Sequence, residues 1–388
     1  MKLSKIFHDF FNSEKTGGLV LIFCTIISLV LANSSFKDSY IAFWNNDLNG
    51  HTYTHWINDG LMAIFFLLIG LELEREVYIG ELSKFRNALL PAIAALGGVL
   101  VPAGIYIFFN YGTPYVRGAG IPMATDIAFA IGVLSLLGNK VPSSLKIFIT
   151  ALAVIDDLLA ILVIAIFYSS GISLAWLGGA AAIFTAMLVM NRLKVHVLLP
   201  YLIGGVGLWY CMLHSGVHAT IAGVLTAFVI PFGDGSERSV SYRLQHFLHK
   251  PVAFIIVPIF ALANTGLYIP PGWMQQLQSS EGLGIIVGLV AGKPIGILLF
   301  SAVAVGIGIC RLPPGLNWKH VAGSGMLAGI GFTMSIFVAL LAFSEEEAVA
   351  TAKIGIIAAS VMAACAGLLY LKIILKNYIP AENDEEEE

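Results

Sequence analysis

Long apolar runs, separated by short polar stretches marked with glycine and proline, alternate along almost the whole chain. They predict about twelve hydrophobic helices, at roughly 17–32, 56–77, 88–110, 119–138, 145–168, 174–190, 197–213, 217–231, 251–267, 283–306, 321–343 and 351–372. A helix needs ~20 apolar residues to cross a ~30 Å hydrocarbon core, and most of these windows approach that length. The seventh and eighth are short. Basic residues then fall on alternate loops: Lys2, Lys5 and Lys15; Arg75, Lys84 and Arg86; Lys140 and Lys146; Arg192 and Lys194; Arg238, Arg243 and Lys250; Arg311 and Lys319; Lys372 and Lys376. The intervening loops hold only Lys37 and Arg117. Cytoplasmic loops carry such an excess, so the pattern predicts an even number of spans with both termini inside.

Composition agrees. Of 388 residues, 58% are hydrophobic and only 12% charged, about half the charge fraction of a soluble domain. The expected class is an all-α polytopic membrane protein. The polar start, 1–15, is followed by no small-residue cleavage site, so the first apolar run reads as a retained span. Cys24, Cys211, Cys310 and Cys365 lie in apolar stretches without metal-type spacing and read as small buried hydrophobes. The acidic end, 377–388, reads as a disordered tail.

Two spans carry breaks. In the fourth, Gly118, Gly120 and Pro122 precede Thr125 and Asp126; in the eleventh, Gly323, Gly325, Gly329 and Gly331 precede Thr333. Small residues also serve close helix packing. A matched pair in the two halves points instead to discontinuous helices that meet at a midplane site. A short echo supports a repeat: Val101–Phe108 in span three resembles Lys293–Phe300 in span ten, aligning Pro102 with Pro294, Gly104 with Gly296 and Phe108 with Phe300. One partner is odd-numbered and the other even, so the repeat is of inverted topology.

The costliest residues are Asp156 and Asp157, adjacent in the middle of span five. A charge at mid-bilayer is disfavoured by roughly 2.5–3.5 kcal/mol on insertion scales. Two carboxylates at ~5 Å and an effective dielectric near 20 repel by another ~3 kcal/mol. The pair therefore calls for neutralisation by protons or by a metal cation. Asp126 and Lys293 also lie inside spans, and one lysine cannot balance three carboxylates. Neighbours on a helix diverge by ~100°, so one aspartate is expected on the ion path and the other toward Lys293 or Asp126. A purely structural polar knot is the competing reading. Thr125 offers a hydroxyl ligand, although helical threonines often bond their own backbone.

Other candidates are weaker. His214 and His218 are four apart, but Gly216 interrupts their face, so hydrogen-bonded interfacial histidines are the simpler reading; His218 is placed to titrate near neutral pH. Glu72 and Glu76 share one helix face at the cytoplasmic end of span two, either as a solvated helix end or as an acidic funnel for cations. Glu345, Glu346 and Glu347 read as solvated.

These stretches together resemble the NhaA family of sodium/proton antiporters: Ala124-Thr-Asp-Ile-Ala-Phe-Ala, Ala153-Val-Ile-Asp-Asp-Leu, Gly216-Val-His-Ala-Thr, Gly292-Lys-Pro-Ile-Gly and Gly329-Ile-Gly-Phe-Thr-Met-Ser-Ile-Phe, in order and over nearly the whole chain. The resemblance implies inverted-topology repeats, with spans four and eleven as discontinuous crossing helices. It implies ion and proton binding at Asp156 and Asp157, with Na⁺ (or Li⁺) as the metal carried and no cofactor. Asp126 and Lys293 would balance the exposed helix ends, Lys293 also pairing with Asp156. Glu72, Glu76, His218, His246 and His249 would serve the pH response. The implied setting is the bacterial cytoplasmic (inner) membrane, with membrane lipid and a second copy of the chain as the partners. Where the family has Arg-Leu-Glu-His, this chain has Arg243-Leu-Gln-His, with Gln245 replacing the acid. The loop before Trp56 is also short for a dimerising hairpin, although 45–54 suffices for a small one.

The expected organisation is one transporter domain, with a core bundle at 88–168 and 283–376 and a scaffold at 17–80 and 174–267. The expected function is not enzymatic: export of Na⁺ against H⁺ uptake by alternating access, regulated by pH and serving sodium and cytoplasmic pH homeostasis. A cation-coupled transporter of an organic solute would need more donors and aromatic walls. An intramembrane aspartyl enzyme would carry its acids on separate helices, in a Gly-x-Gly-Asp setting absent here. ATP-driven transport is disfavoured, because Gly292-Lys293-Pro294 lacks a phosphate-binding loop, and nothing suggests a nucleic-acid partner.

Overall fold

The structure, a computed structural model, describes residues 5–169 and 171–377; the acidic tail at 378–388 and the basic Lys2 lie outside them. The described chain is almost wholly helical. In order it forms α1 (Lys5–Ala32), α2 (Lys37–Trp44), a hairpin of β1 (Asp47–Leu48) and β2 (His51–Thr52), and α3 (Tyr53–Tyr78). Next come α4 (Phe85–Asn110), a 3₁₀ helix (Pro114–Met123), α5 (Ile127–Ser135), α6 (Ser143–Phe167), α7 (Leu174–Arg192), α8 (Leu198–Leu213) and α9 (Ile221–Val229). The chain continues with α10 (Val240–Thr265), α11 (Ser280–Gly306), α12 (Trp318–Ala328), α13 (Phe332–Ala342) and α14 (Glu346–Ile374).

Among the described residues, seven helices are individually long and apolar enough to cross a membrane: α3, α4, α6, α7, α10, α11 and α14. Three more candidates are helix pairs bent at a short break, by 119° between α1 and α2, 44° between Pro114–Met123 and α5, and 49° between α12 and α13. This is a multi-pass membrane protein. Its exposed faces say the same: Leu199, Ile203 and Val206 on α8, and Ile295, Leu299 and Val303 on α11, recur at helical spacing and are all exposed. Apolar stripes of that kind suit lipid rather than water.

Local chemistry sets many of the helix starts. Side chains of Thr52, Asp126, Ser239, Ser279 and Asn317 accept from backbone N–H groups three residues on, closing first turns that would otherwise leave donors open. Prolines shape the interiors. Pro294 has no N–H for the carbonyl four residues back, and the turn before it, Gly288–Gly292, widens to a π-helix. Pro258 does the same to Val252–Ile256 in α10. The hairpin turns on Asn49 and Gly50, both at positive φ, the Asn-Gly pair that a two-residue turn favours.

The chain divides into two compact units, with boundaries that fall inside α1 and α6. The first holds 5–23, 84–160 and 267–377 and contains α4, α5, α11, α12, α13 and α14. Within it α4 and α11, the helices that carry the sequence echo, pack through Gly97 and Gly296; a Cβ on either would strike the other's backbone. Gly97→Ala is therefore expected to lower thermal stability by about 1–3 kcal/mol, as overpacking does; a fluorescence melt of purified protein reads it. The second unit holds 24–83 and 161–266 and contains α2, the hairpin, α3, α7, α8, α9 and α10. There α3 lies along α9, where the Cβ that Gly223 lacks would strike the carbonyl of Ala63.

The cysteines only partly match the expectation. Cys211 and Cys310 are buried and Cys24 is half-buried, whereas Cys365 is exposed on α14.

Candidate ion site

Two backbone breaks create the site in the first unit. Between the 3₁₀ helix and α5 the chain runs extended through Ala124 to Asp126, where the carbonyls of Pro114–Met123 end and the N–H groups of α5 begin. Between α12 and α13, Gly329 to Gly331 form the second break. The two meet directly: the Asp126 N–H donates to Ile330 O at 2.7 Å.

Asp126 closes the N-terminal ends of both downstream helices. Its Oδ1 accepts from the Phe129 N–H of α5 at 3.0 Å. Its Oδ2 accepts from the Thr333 N–H of α13 at 3.0 Å and from the Thr333 hydroxyl at 2.5 Å. Donors at a helix N-terminus carry partial positive charge, so one buried carboxylate answers two helix dipoles. Lys293 does the converse. Its ammonium donates to Met123 O, the last carbonyl of the 3₁₀ helix, to Thr125 Oγ1 and to Asp156 Oδ2. The Thr125 hydroxyl lies 2.5 Å from Asp156 Oδ2 and 2.9 Å from Ala328 O at the end of α12; having one proton, it donates to one of them at a time.

Removing Asp126 should therefore loosen two helices at once. Losing hydrogen bonds to a charged acceptor costs roughly 1.5–3 kcal/mol each. Asp126→Ala is expected to melt well below the wild type in detergent, and Asp126→Asn, which keeps an acceptor oxygen, to fall between them.

Asp156 and Asp157 are each 1% exposed, and Lys293 is wholly buried. Asp156 turns to Lys293, with its Oδ1 left without a hydrogen-bond partner among the described residues. Asp157, one step around α6, lies close enough to Lys293 to interact electrostatically. If all three acids and the lysine were ionised, two negative charges would be in surplus, with oxygens the only acceptors. Such a set accepts protons or a hard cation. The residues alone had left one of the two aspartates facing Lys293 or Asp126; in the structure it is Asp156, and it faces Lys293.

The pH-response candidates belong to the second unit. Glu72 and Glu74 are both buried; Glu72 Oε1 lies 3.7 Å from His249 Nδ1, and Ser241 donates to Glu74 across 3.4 Å. The Arg75 guanidinium sits 5.0 Å from the Tyr242 ring, on which the exposed His246 stacks. Glu76 is half-buried, as is Gln245. His218 contacts Tyr168 O at 3.0 Å, whereas His214 is exposed and contacts Tyr210 O at 2.9 Å, so the two histidines do not share a site. His55 lies 3.2 Å from Asp59, which also feels His218. Glu345, Glu346 and Glu347 are exposed, two of them in the first turn of α14.

Besides Asp126, Asp156, Asp157 and Lys293, the structure buries further charged residues. Glu74 and Glu281 are buried and Lys353 is half-buried within α14. Glu74 and Lys353 stood inside the predicted windows and were readable there. Glu281 lay two residues outside its window. Thr333 showed in sequence only as a hydroxyl after a glycine run, with nothing to name Asp126 as its acceptor.

Two broken helices meeting at buried carboxylates and a lysine admit several ion-coupled transporters. The sequence profile described as Na⁺/H⁺ antiporter 1 decides among them, matching residues 8–371. The chain belongs to that family. The Na⁺/H⁺ antiporter NhaA 1 of Flavobacterium johnsoniae is 61% identical over 375 residues, covering 97% of this chain and 98% of that protein. The NhaA of Cytophaga hutchinsonii is 60% identical over 386 residues and covers all of both. Among solved structures, the sodium proton antiporter MjNhaP1 from Methanocaldococcus jannaschii covers 96% of this chain and 98% of its own at 14% identity, with a TM-score of 0.55, showing a common fold. Family membership makes this chain an antiporter of sodium ions and protons, a transporter rather than an enzyme.

Proposed function

We propose that Na⁺ and protons exchange at Asp156 and Asp157, with Asp157 the principal ion ligand and Asp156 shared among proton, ion and Lys293. The observation that carries this is the pair of adjacent, fully buried carboxylates where two broken helices meet, with Lys293 bonded to Asp156. Facing the cytoplasm, the deprotonated pair takes Na⁺ or Li⁺. Facing outward, it releases the ion and takes protons, which return inward. Both cargoes need the same carboxylates, so neither boards until the other leaves. If more protons than sodium ions move, the membrane potential adds roughly 2.3 kcal/mol per charge per 100 mV.

The architecture proposed is twelve crossings in a bacterial inner membrane, with both termini cytoplasmic. To the seven long helices it adds α1, the two broken pairs at the site, the sixteen-residue α8 and the nine-residue α9. At 1.5 Å per residue α9 covers only ~14 Å, so its crossing includes the irregular chain before it. The broken pairs cross as partners in an inverted repeat, and the first compact unit, 5–23, 84–160 and 267–377, is the moving core.

Regulation by cytoplasmic pH is supported by the Glu72–His249 pair, with Glu76 and His246 on the same two helices and His218 elsewhere in that unit. Gln245 removes one acid from that region. A homodimer is supported by the small hairpin, which offers two strand edges. Sodium-dependent dequenching of a pH dye in vesicles, measured across pH for the wild type and for Asp156→Asn and Asp157→Asn, tests the site. Intact exchange in Asp157→Asn would overturn it.

A further inference from the structure

The first turn of α11 holds a buried acid that the exchange site does not use. Glu281 is 3% exposed, its Oε1 has no hydrogen-bond partner among the described residues, and no charged group lies close enough to offset its burial. Two neighbouring residues also carry a buried side-chain oxygen without a donor among the described residues. Asn110, wholly buried at the end of α4, donates its amide to Tyr106 O at 3.0 Å and to Ser280 O at 3.1 Å, which uses both N–H bonds and leaves its Oδ1 without a donor. Gln276, in the short helix Trp273–Leu277, has its backbone carbonyl against Gly282 and its Oε1 likewise without a donor. Three elements of one unit thus meet at that helical turn, each with a buried side-chain oxygen that has no donor among the described residues.

The elements packed on that turn are α4, Pro114–Met123, Trp273–Leu277 and α14. Their ionisable groups toward this end are Tyr106, Tyr115, Arg117, Glu346, Glu347 and Lys353. Tyr106 spends its hydroxyl on Tyr115 O, and Glu346 and Glu347 are exposed. None of the six forms an ion pair or hydrogen bond with Glu281 among the described residues. The dipole of α11 favours a negative charge at its start, yet that is weaker than the penalty for burying an unpaired carboxylate.

We propose that Glu281, flanked by Asn110 and Gln276, is a second proton-binding site, which loads protons from the external side. The distribution of lysines and arginines puts the end of α4 and the start of α11 outside. A proton arriving through external water neutralises the Glu281 carboxylate, which removes the buried charge and supplies one O–H donor at a turn where acceptor oxygens stand without one. Lys293 stands in the same helix, twelve residues on, so the site lies on the unit that carries the aspartates. The inference rests on the antiport direction proposed above.

Infrared difference spectroscopy and side-resolved transport test it together. The wild type should show a protonated-carboxyl band that vanishes as pH rises, is missing in Glu281→Gln and persists in Glu281→Asp. In oriented proteoliposomes Glu281→Gln should slow exchange about a hundredfold when the outer side is alkaline, the lower end of what loss of a proton-transferring group costs. It should leave the dependence on inner pH and the KM for Na⁺ in place, and Glu281→Asp should restore the outer profile. An outer-pH profile equal to the wild type's overturns the site. So does the absence of the band, and so does a band abolished by Na⁺ alone at fixed pH, which would make it a sodium site. If instead the Asp156–Asp157 reading is what fails, Asp157→Asn will still exchange ions while the Glu281 band is unaffected.

Discussion

Asp157→Asn is expected to fold, insert and bind sodium too weakly to exchange it, so that Na⁺ no longer dequenches a pH dye at any pH. The substitution keeps volume and removes one charge from a wholly buried position. A cation and a carboxylate at ~4 Å and an effective dielectric of ~20 attract by about 4 kcal/mol, so affinity should fall roughly a thousandfold. Stability should hold or rise, because one of two repelling acids has gone. Asp156→Asn should differ: it removes the partner of Lys293 and leaves a buried ammonium, so it loses stability as well as transport. The contrast between a transport defect alone and a transport defect with a lowered melting temperature separates ion ligand from shared residue. Equal melting losses in the two variants would sink the division of labour.

Lys293→Ala should be the most destabilising single change at the site. Breaking a buried ion pair by removing one member costs about 3–5 kcal/mol, because the other charge is stranded. Here two further contacts are lost as well, those to the Met123 carbonyl and the Thr125 hydroxyl. The double variant Asp156→Asn with Lys293→Ala should recover much of that loss, since both charges are then gone. A double-mutant cycle on melting temperatures reads the coupling. Simple addition of the two single losses would mean that the ion pair does not order these helices.

The apolar runs revealed the helical character of the chain because lipid-facing and buried surfaces are both apolar, so hydropathy registers them alike. Each predicted window falls on a helix or a broken pair. The ends were poorly read: α10 begins at Val240, not near 251, because a polar helical extension satisfies its own hydrogen bonds without being apolar. Breaks were legible where composition forced them, at Pro122 and at Gly329 and Gly331. What each break bonds to was not legible. Asp126 and Thr333 are 207 positions apart, and no local rule links a capping carboxylate to a helix so distant in sequence. Glu281 was missed for a related reason: a window drawn around apolar residues ends where an acid begins, although packing by α4 and α14 buries it.

That separation also bears on how the chain is made. Asp156 precedes Lys293 by 137 residues and Asp126 precedes Thr333 by 207. At roughly 5–20 residues per second of synthesis, the acids await their partners for about 7 to 40 s. During that interval they enter the bilayer region without the distant partners that hold them in the finished fold, and the neutral, protonated acid is the cheaper form to insert. A chain stopped before α11 would hold Asp156 without Lys293 and Asp126 without Thr333, so both broken helices wait on the last third of synthesis for the contacts that fix them.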